Sequence, residues 1–264
     1  MKSIGWWKNE MYVINILIEN INILDIIDFG WWYLFLSLKM QKNIINDPYS
    51  DYHIHSLFSD WVSTIEEIVQ FAGILWMKEI AITDHSDKAV EVWIIRNKIT
   101  PGWWAKYSLN NWENVRNDVK VTFWVEWDLL DKDWNICIDS QWYPQNFTIL
   151  SVHRHVYESE PQTTWKWFLA AIEKHHDKID CIWHPYSKKQ NWNFIDIEAL
   201  VELCDHYDIP IEFNHSVLES GDCIEENLIY VLKNAKRIYV NSDAHNLAQI
   251  KQLRKSCYDF LGNL

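Results

Sequence analysis

From Asp51 onward the chain alternates two patterns of apolar and polar residues. Short apolar runs rich in β-branched residues, at 52–55, 79–83, 120–126, 147–153, 180–184, 210–214 and 237–243, read as strands. Between most of them, residues 63–75, 104–118, 162–175, 195–207 and 222–234 carry apolar positions at helical spacing, and 246–261 closes the chain in the same way. Ser63-x-x-Glu66, just ahead of an apolar run, predicts a capping box at the start of the first of these helices. Strand–helix alternation of this kind builds parallel βαβ units, and seven such strands predict an α/β fold whose sheet closes, or nearly closes, into a barrel. The 127–147 region breaks the rhythm; a strand-like piece at 135–139 predicts an excursion from the barrel. Residues 1–47 are rich in Ile and Asn and carry no usable motif, so the reading is an N-terminal extension over 1–47 and one domain over 48–264.

Polar residues gather where the strands end. The runs finish, in order, in His53-Ile54-His55 followed by Asp60, in Thr83-Asp84-His85, in Glu126, in Ser151-Val152-His153, in His184-Pro185, in Glu212-Phe213-Asn214 and in Asp243-Ala244-His245. The C-terminal strand ends of a β/α barrel and the loops after them build its active site. Residues i and i+2 of a strand share a face, so His53 points with His55, and Asp243 with His245. A single histidine at a strand end is more often structural than ligating, but agreement across seven ends indicates one site. Imidazole and carboxylate ligands suit Zn²⁺, Mn²⁺ or Fe²⁺, and there are too many here for one ion, which predicts two or three divalent metals.

These motifs, in this order, resemble the PHP (polymerase and histidinol phosphatase) family over roughly residues 50–262. The resemblance implies a distorted (β/α)₇ barrel, in agreement with the strand count. It also implies one ion on His53, His55, Glu126 and Asp243, a second sharing Glu126 and adding His153 and His184, and a third on Asp60, His85 and His245. The implied chemistry is metal-dependent hydrolysis of a phosphate monoester or nucleotide phosphoester by a hydroxide held between ions. Glu126 would bridge the pair, with Asp60, His85 or His245 assisting the leaving group. Asp84 is a candidate for orienting a ligand from behind. Arg154 and Lys188 are candidates for holding substrate phosphate, against a reading as solvated loop charges that also covers Lys189. The partner expected is a phosphorylated small molecule or nucleotide, or a short nucleic acid.

Composition narrows the alternatives. A net charge of −13 argues against a surface that coats nucleic acid, though bound metals can supply a local positive field to a nucleotide. The five cysteines form no C-x-x-C pair, and no run of ~18 uninterrupted apolar residues appears; with no signal-peptide pattern at the N-terminus, the expectation is a cytoplasmic protein with reduced thiols and no membrane contact. A metal-dependent amidohydrolase also opens on H-x-H, but that class leads one to expect a carboxylated lysine in mid-barrel, where this chain offers Glu126. A non-catalytic module attached to a DNA polymerase is the remaining alternative; the filled ligand set argues against it.

Tryptophan is the anomaly. The chain has 18 Trp and 6 Gly, and the two together approach an ordinary glycine count of roughly 7%. Trp76 falls where a helix meets a strand, a position that favours glycine, and Trp61, Trp124, Trp127 and Trp183 adjoin expected ligands, where bulk is unwelcome. The pattern predicts that the source organism reads UGA as glycine at these positions. Intact mass of the natively expressed protein tests this: a mass lowered by one Trp-to-Gly difference per affected position is expected, and a mass equal to the written sequence excludes recoding.

Overall fold

A computed structural model of the chain describes residues 43–94, 117–137, 147–160, 164–188 and 195–262. Its centre is an eight-stranded sheet: β1 (Ser50–Ile54), β2 (Glu79–His85), β3 (Lys120–Leu129), β4 (Ile136–Cys137), β5 (Phe147–Ser151), β6 (Cys181–Ile182), β7 (Ile211–Phe213) and β8 (Ile238–Val240). Seven of these run parallel in the order β1-β2-β3-β5-β6-β7-β8. β4 is the predicted excursion, an antiparallel appendage of β3 that returns through the Asp131–Asn135 turn. Helices α1 (Ile65–Ile74), α2 (Thr164–His175), α3 (Ile197–His206), α4 (Glu225–Asn234) and α5 (Leu247–Gly262) fall on the predicted segments. The helix expected at 104–118 lies almost wholly outside the described residues, as do Lys189 and most of the N-terminal extension.

The sheet curls until its two ends meet. Beyond β8 the chain continues alongside β1, and Ala244 bridges Ile54 in parallel, with His55 N–H bonded to Ala244 O at 3.1 Å and Ala244 N–H to His53 O at 3.3 Å. Lower down, the edge of β8 is covered from the extension side. The Asn46 side chain donates to Val240 O at 2.7 Å and accepts from Val240 N–H at 2.8 Å, and Ile44 bridges Ile238. An amide side chain thus supplies the donor and acceptor that a neighbouring strand would otherwise provide. The distorted (β/α)₇ barrel expected from the sequence is therefore present, closed at its C-terminal mouth by direct strand contact and below by a side-chain splice.

Packing follows from the alternation. Ile54, Ile80, Ile82, Ile65, Ile68 and Ile250 form one buried cluster where α1 and α5 meet the first two strands. Ile149, Ile182, Ile211, Phe168, Leu200 and Val231 anchor the larger one under α2, α3 and α4. Among the described residues, no helix is long and apolar enough to cross a membrane.

Local differences from the expectation have physical causes. The capping box belongs to Thr64 and Glu67, one residue later than predicted: the Thr64 hydroxyl accepts from Glu67 N–H at 3.2 Å and Glu67 Oε2 accepts from Thr64 N–H at 2.8 Å. Ser63 is excluded because its carbonyl is taken by Leu57 N–H in the preceding loop. α1 then ends in a Schellman motif, with Met77 N–H to Ala72 O at 3.0 Å and Trp76 N–H to Gly73 O at 3.1 Å. This turn forces Trp76 to φ 58°, with its ring 84% exposed; Trp134, in the Asp131–Asn135 turn, takes φ 66°.

A left-handed non-glycine residue costs about 1–2 kcal/mol, and Trp76 buries nothing to offset it. Trp76→Gly is therefore expected to raise the stability of the tryptophan-containing protein by about 1 kcal/mol, read as a higher midpoint in urea. A lower midpoint would show that the indole contributes packing.

Candidate metal centre

The barrel gathers at one mouth the side chains that six of its strands supply. His53 leaves β1 on the inner face, and His55 follows one period later just past the strand; both imidazoles are wholly buried. β2 contributes His85, its last residue, and β3 contributes Glu126, which stands directly beside His85 in the parallel ladder. His153 and His184 each lie two residues past their strands, and Asp243 and His245 follow β8. Asp60 arrives on the loop after β1.

Glu126 is the hub of the site. Its Oε2 lies 2.9 Å from His85 Nδ1 and 3.7 Å from Nε2 of both His53 and His55, while Oε1 lies 3.5 Å from His153 Nε2. Asp243 Oδ1 faces His53 Nε2 at 3.5 Å and His55 Nε2 at 3.2 Å, and its Oδ2 faces His184 Nε2 at 3.3 Å. Asp60 receives His85 Nε2 at 3.2 Å, His245 Nε2 at 3.1 Å and His55 Nδ1 at 3.3 Å. Three groupings have ligand atoms all within 4.8 Å of one another: His55, Asp60, His85 and His245; His53, His55 and Asp243; and His85, Glu126 and His153. His184 belongs to none of these; it borders the second through Asp243, apart from Glu126 and His153, with which the resemblance had paired it.

The residues fit divalent ions. His53 Nε2 and Glu126 Oε1 are buried and make no hydrogen bond, a costly arrangement for a polar atom unless something else occupies it. Tetrahedral bonds of about 2.0–2.2 Å to nitrogen or oxygen place neighbouring ligand atoms roughly 3.3–3.6 Å apart. The separations of 3.5 Å between His53 Nε2 and Asp243 Oδ1, and between His153 Nε2 and Glu126 Oε1, match that spacing and are long for hydrogen bonds. Asp243 itself sits at φ 51°, a strained backbone position of the kind that collects at functional sites.

Burial alone would raise the Glu126 carboxyl, but the charges of His85 and His153 outweigh it and hold the group well below the usual carboxylate range. The same contest, decided by His85, His55 and His245, depresses Asp60; for Asp243, His53 and the hydrogen bond from His184 prevail. Burial disfavours the His85 imidazolium, yet Asp60 and Glu126 push it well up, and His53 is raised against burial by Glu212 and Asp243. His55 goes the other way: burial, aided by the charge of His245, lowers it.

Several contributors were missed or only half seen in the sequence. Asp128, two residues beyond Glu126 on the same face of β3, accepts His153 Nδ1–H at 2.6 Å and the Ser86 hydroxyl at 2.5 Å. Glu212 accepts His53 Nδ1–H at 2.7 Å and Asn241 Nδ2–H at 2.9 Å. Asp84 takes the Ser56 N–H at 2.7 Å, the Ser56 hydroxyl at 2.6 Å and the Ser59 hydroxyl. The two substrate candidates stand apart from this interior: Arg154 is exposed, with Nε donating to His155 Nε2 at 3.2 Å, and Lys188 is exposed with its backbone N–H on Asp222 O at 2.7 Å. The indole N–H groups of Trp61 and Trp127 are buried without an acceptor, which is unusual for tryptophan and accords with the glycine reading of those positions.

Fold and site together define a class: a β/α barrel with a polynuclear histidine–carboxylate centre at its mouth. The sequence matches the PHP domain over residues 51–216, and the chain belongs to that family. It is 25% identical over 217 residues to the DNA polymerase/3′-5′ exonuclease PolX of Bacillus subtilis (strain 168), covering 77% of this chain and 35% of that protein, so the chain spans about a third of its length. Among solved structures it is similar to the histidinol phosphate phosphatase of Lactococcus lactis subsp. lactis Il1403 complexed with zinc, L-histidinol and phosphate, at 17% identity and a TM-score of 0.47, covering 81% of this chain and 93% of that one.

Protons and metals compete for these imidazoles. Burial opposes the charged form of His245, but Asp60 and then Asp243 raise it from 6.5 to about 9. Because the folded value lies above the ordinary one, this charge stabilises the ion-free fold fully below pH 6.5, and the contribution is lost as pH rises through about 9. Zn²⁺ binding is accordingly expected to release protons and to tighten as pH rises across that window, measured by chelator competition and by calorimetry in buffers of differing ionisation enthalpy. A pH-independent affinity would count against the assignment of His245 as a ligand.

Proposed function

We propose that this protein is a metal-dependent phosphoesterase that hydrolyses a phosphate monoester or a nucleotide phosphoester at the barrel mouth. The observation that carries the reading is Glu126, one buried carboxylate facing four imidazoles from three other strand ends. Family membership supports it. His53, His55, Glu126 and Asp243 would hold one divalent ion, with Glu126, His85 and His153 providing for a second and Asp60, His85, His245 and His55 for a third; His184 completes the ring through Asp243. Zinc, manganese or iron held there would acidify a water toward neutrality and neutralise charge on the phosphoryl oxygens.

The chain's own groups do the remaining work. Glu126 and Asp243 fix the imidazoles at the spacing a polynuclear centre needs and keep the interior negative enough to retain cations. Asp60 holds His245, whose side chain is 36% exposed and so the most accessible of the imidazoles around Asp60. When no ion occupies the third grouping, that placement suits His245, with Asp60 behind it, to deliver a proton to the departing oxygen. Arg154 and Lys188, on loops following β5 and β6, are positioned by sequence to meet the non-reacting part of a phosphorylated substrate. Similarity to the DNA polymerase/3′-5′ exonuclease of Bacillus subtilis favours a second reading within the same chemistry, cleavage of a nucleotide diester on a short nucleic acid.

Hydrolysis of an aryl phosphate monoester and of a bis-aryl diester by metal-reconstituted protein tests both readings. Activity is expected to require added Mn²⁺ or Zn²⁺ and to fall by at least about 100-fold in His53→Ala, the scale on which loss of a single charge-stabilising group is felt. Preference for the diester would select the nuclease reading. Absence of both activities in protein shown to bind metal would overturn the proposal.

A further inference from the structure

Among the described residues, Asp51, Asp84, Asp128 and Glu212 are buried near the candidate ligands and outside every grouping that could hold an ion. Asp51 accepts from backbone N–H groups, and the other three, Glu212 and Asp128 at 0% exposed and Asp84 at 2%, hold the ligands or the loop that carries one. Each of these three stands behind a different grouping. Glu212 Oε1 accepts His53 Nδ1–H at 2.7 Å, which leaves His53 Nε2 facing Asp243 and Glu126. Asp128 Oδ1 accepts His153 Nδ1–H at 2.6 Å, which leaves His153 Nε2 facing Glu126. Asp84 clamps the backbone N–H of Ser56 and the hydroxyls of Ser56 and Ser59, the loop that delivers Asp60 to His55, His85 and His245.

The three anchors are themselves held. Asn241 donates to Glu212 Oε1 at 2.9 Å and the Ser86 hydroxyl to Asp128 Oδ2 at 2.5 Å, so neither carboxylate is free to swing inward and become a ligand. A histidine whose Nδ1–H is fixed by a carboxylate presents a defined Nε2 lone pair and a more basic ring to a metal. We propose that Glu212, Asp128 and Asp84 are positioning residues, one dedicated to each ion subsite, so that each ion can be weakened independently of the other two. This rests on the metal-centre reading above.

The test is a titration of ion content, not of turnover. Wild type, Glu212→Gln, Asp128→Asn and Asp84→Asn are equilibrated at a series of chelator-buffered free Zn²⁺ concentrations and their bound zinc is counted by mass spectrometry of the metal. In each variant one ion is expected to bind about 10–100-fold more weakly, the usual effect of losing an outer carboxylate, while the others keep wild-type affinity. Nitrogen-15 spectra of the zinc-loaded imidazoles supply a readout that mere destabilisation does not move. In wild type His53 and His153 are expected to be Nδ1-protonated; Glu212→Ala should disturb His53 alone and Asp128→Ala His153 alone. Asp51→Asn is the control: Asp51 is buried against the His53 and Ser242 backbone N–H groups but touches no imidazole nitrogen, so it should lower the melting temperature without changing tautomer or zinc count. Zinc binding by all variants equal to wild type, or all ions weakened together, overturns the proposal. A wild type that binds no zinc removes the metal-centre reading itself.

Discussion

Everything in this structure is arranged around the problem of keeping ionised carboxylates in the middle of a protein. Glu126 is 1% exposed, and an isolated carboxylate at that depth would protonate in preference to remaining charged. It stays ionised because imidazoles converge on it, and three of them, His53, His85 and His153, are pushed toward the charged form by Glu212 and Asp243, by Asp60 and Glu126, and by Asp128 and Glu126 in turn. The arrangement is mutually enforcing. Removing an inner carboxylate that faces several imidazoles, Glu126, Asp60 or Asp243, leaves those imidazoles buried and uncompensated, which is far more damaging than the loss of any single contact. Divalent ions relieve the same tension by displacing protons, so the features that make the ion-free barrel electrostatically tense are those that make it receptive to metal.

The barrel supplies the geometry that this balance requires. A parallel sheet places every strand's C-terminal end at one mouth, and the inward face repeats every second residue. Closure matters because half of the centre comes from the two strands that are farthest apart in the chain: His53 and His55 on β1, Asp243 and His245 beyond β8. The Ile54–Ala244 bridge and the backbone hydrogen bonds flanking it bring these pairs together. Asn46, spliced into the edge of β8, holds the lower part of the same seam.

The cluster was legible because strand period and strand-end position constrain where a side chain points without any knowledge of tertiary contacts. His53-x-His55 and Asp243-x-His245 could be read as co-facing pairs, and both prove to be. What escaped was whatever depends on a neighbour far along the chain. Asp128 shares a face with Glu126, yet it lay in the segment read as leaving the barrel, and only its 2.6 Å contact with His153 reveals its role. His184 lies two residues past a strand of just two residues and opens a turn in which Tyr186 N–H bonds back to its carbonyl, so alternation says little about its direction. The capping box was misplaced by one because Ser63/Glu66 and Thr64/Glu67 satisfy the same pattern, and a loop hydrogen bond to Ser63 O decides between them. Trp76 was recognisable as a glycine position because the constraint there is local: a helix end that must turn left-handed.

The pairing of β2 with β3 is continuous from Glu79↔Lys120 through His85↔Glu126. Seven consecutive pairs therefore act as a ruler whose last graduation is the hub of the metal centre. Because side chains alternate between the barrel interior and the helical layer, a slip of one residue along this ladder would carry Glu126 out of the interior and bring its apolar neighbour Val125 in. A register error at this seam would therefore remove the hub of the candidate centre outright, not merely loosen it.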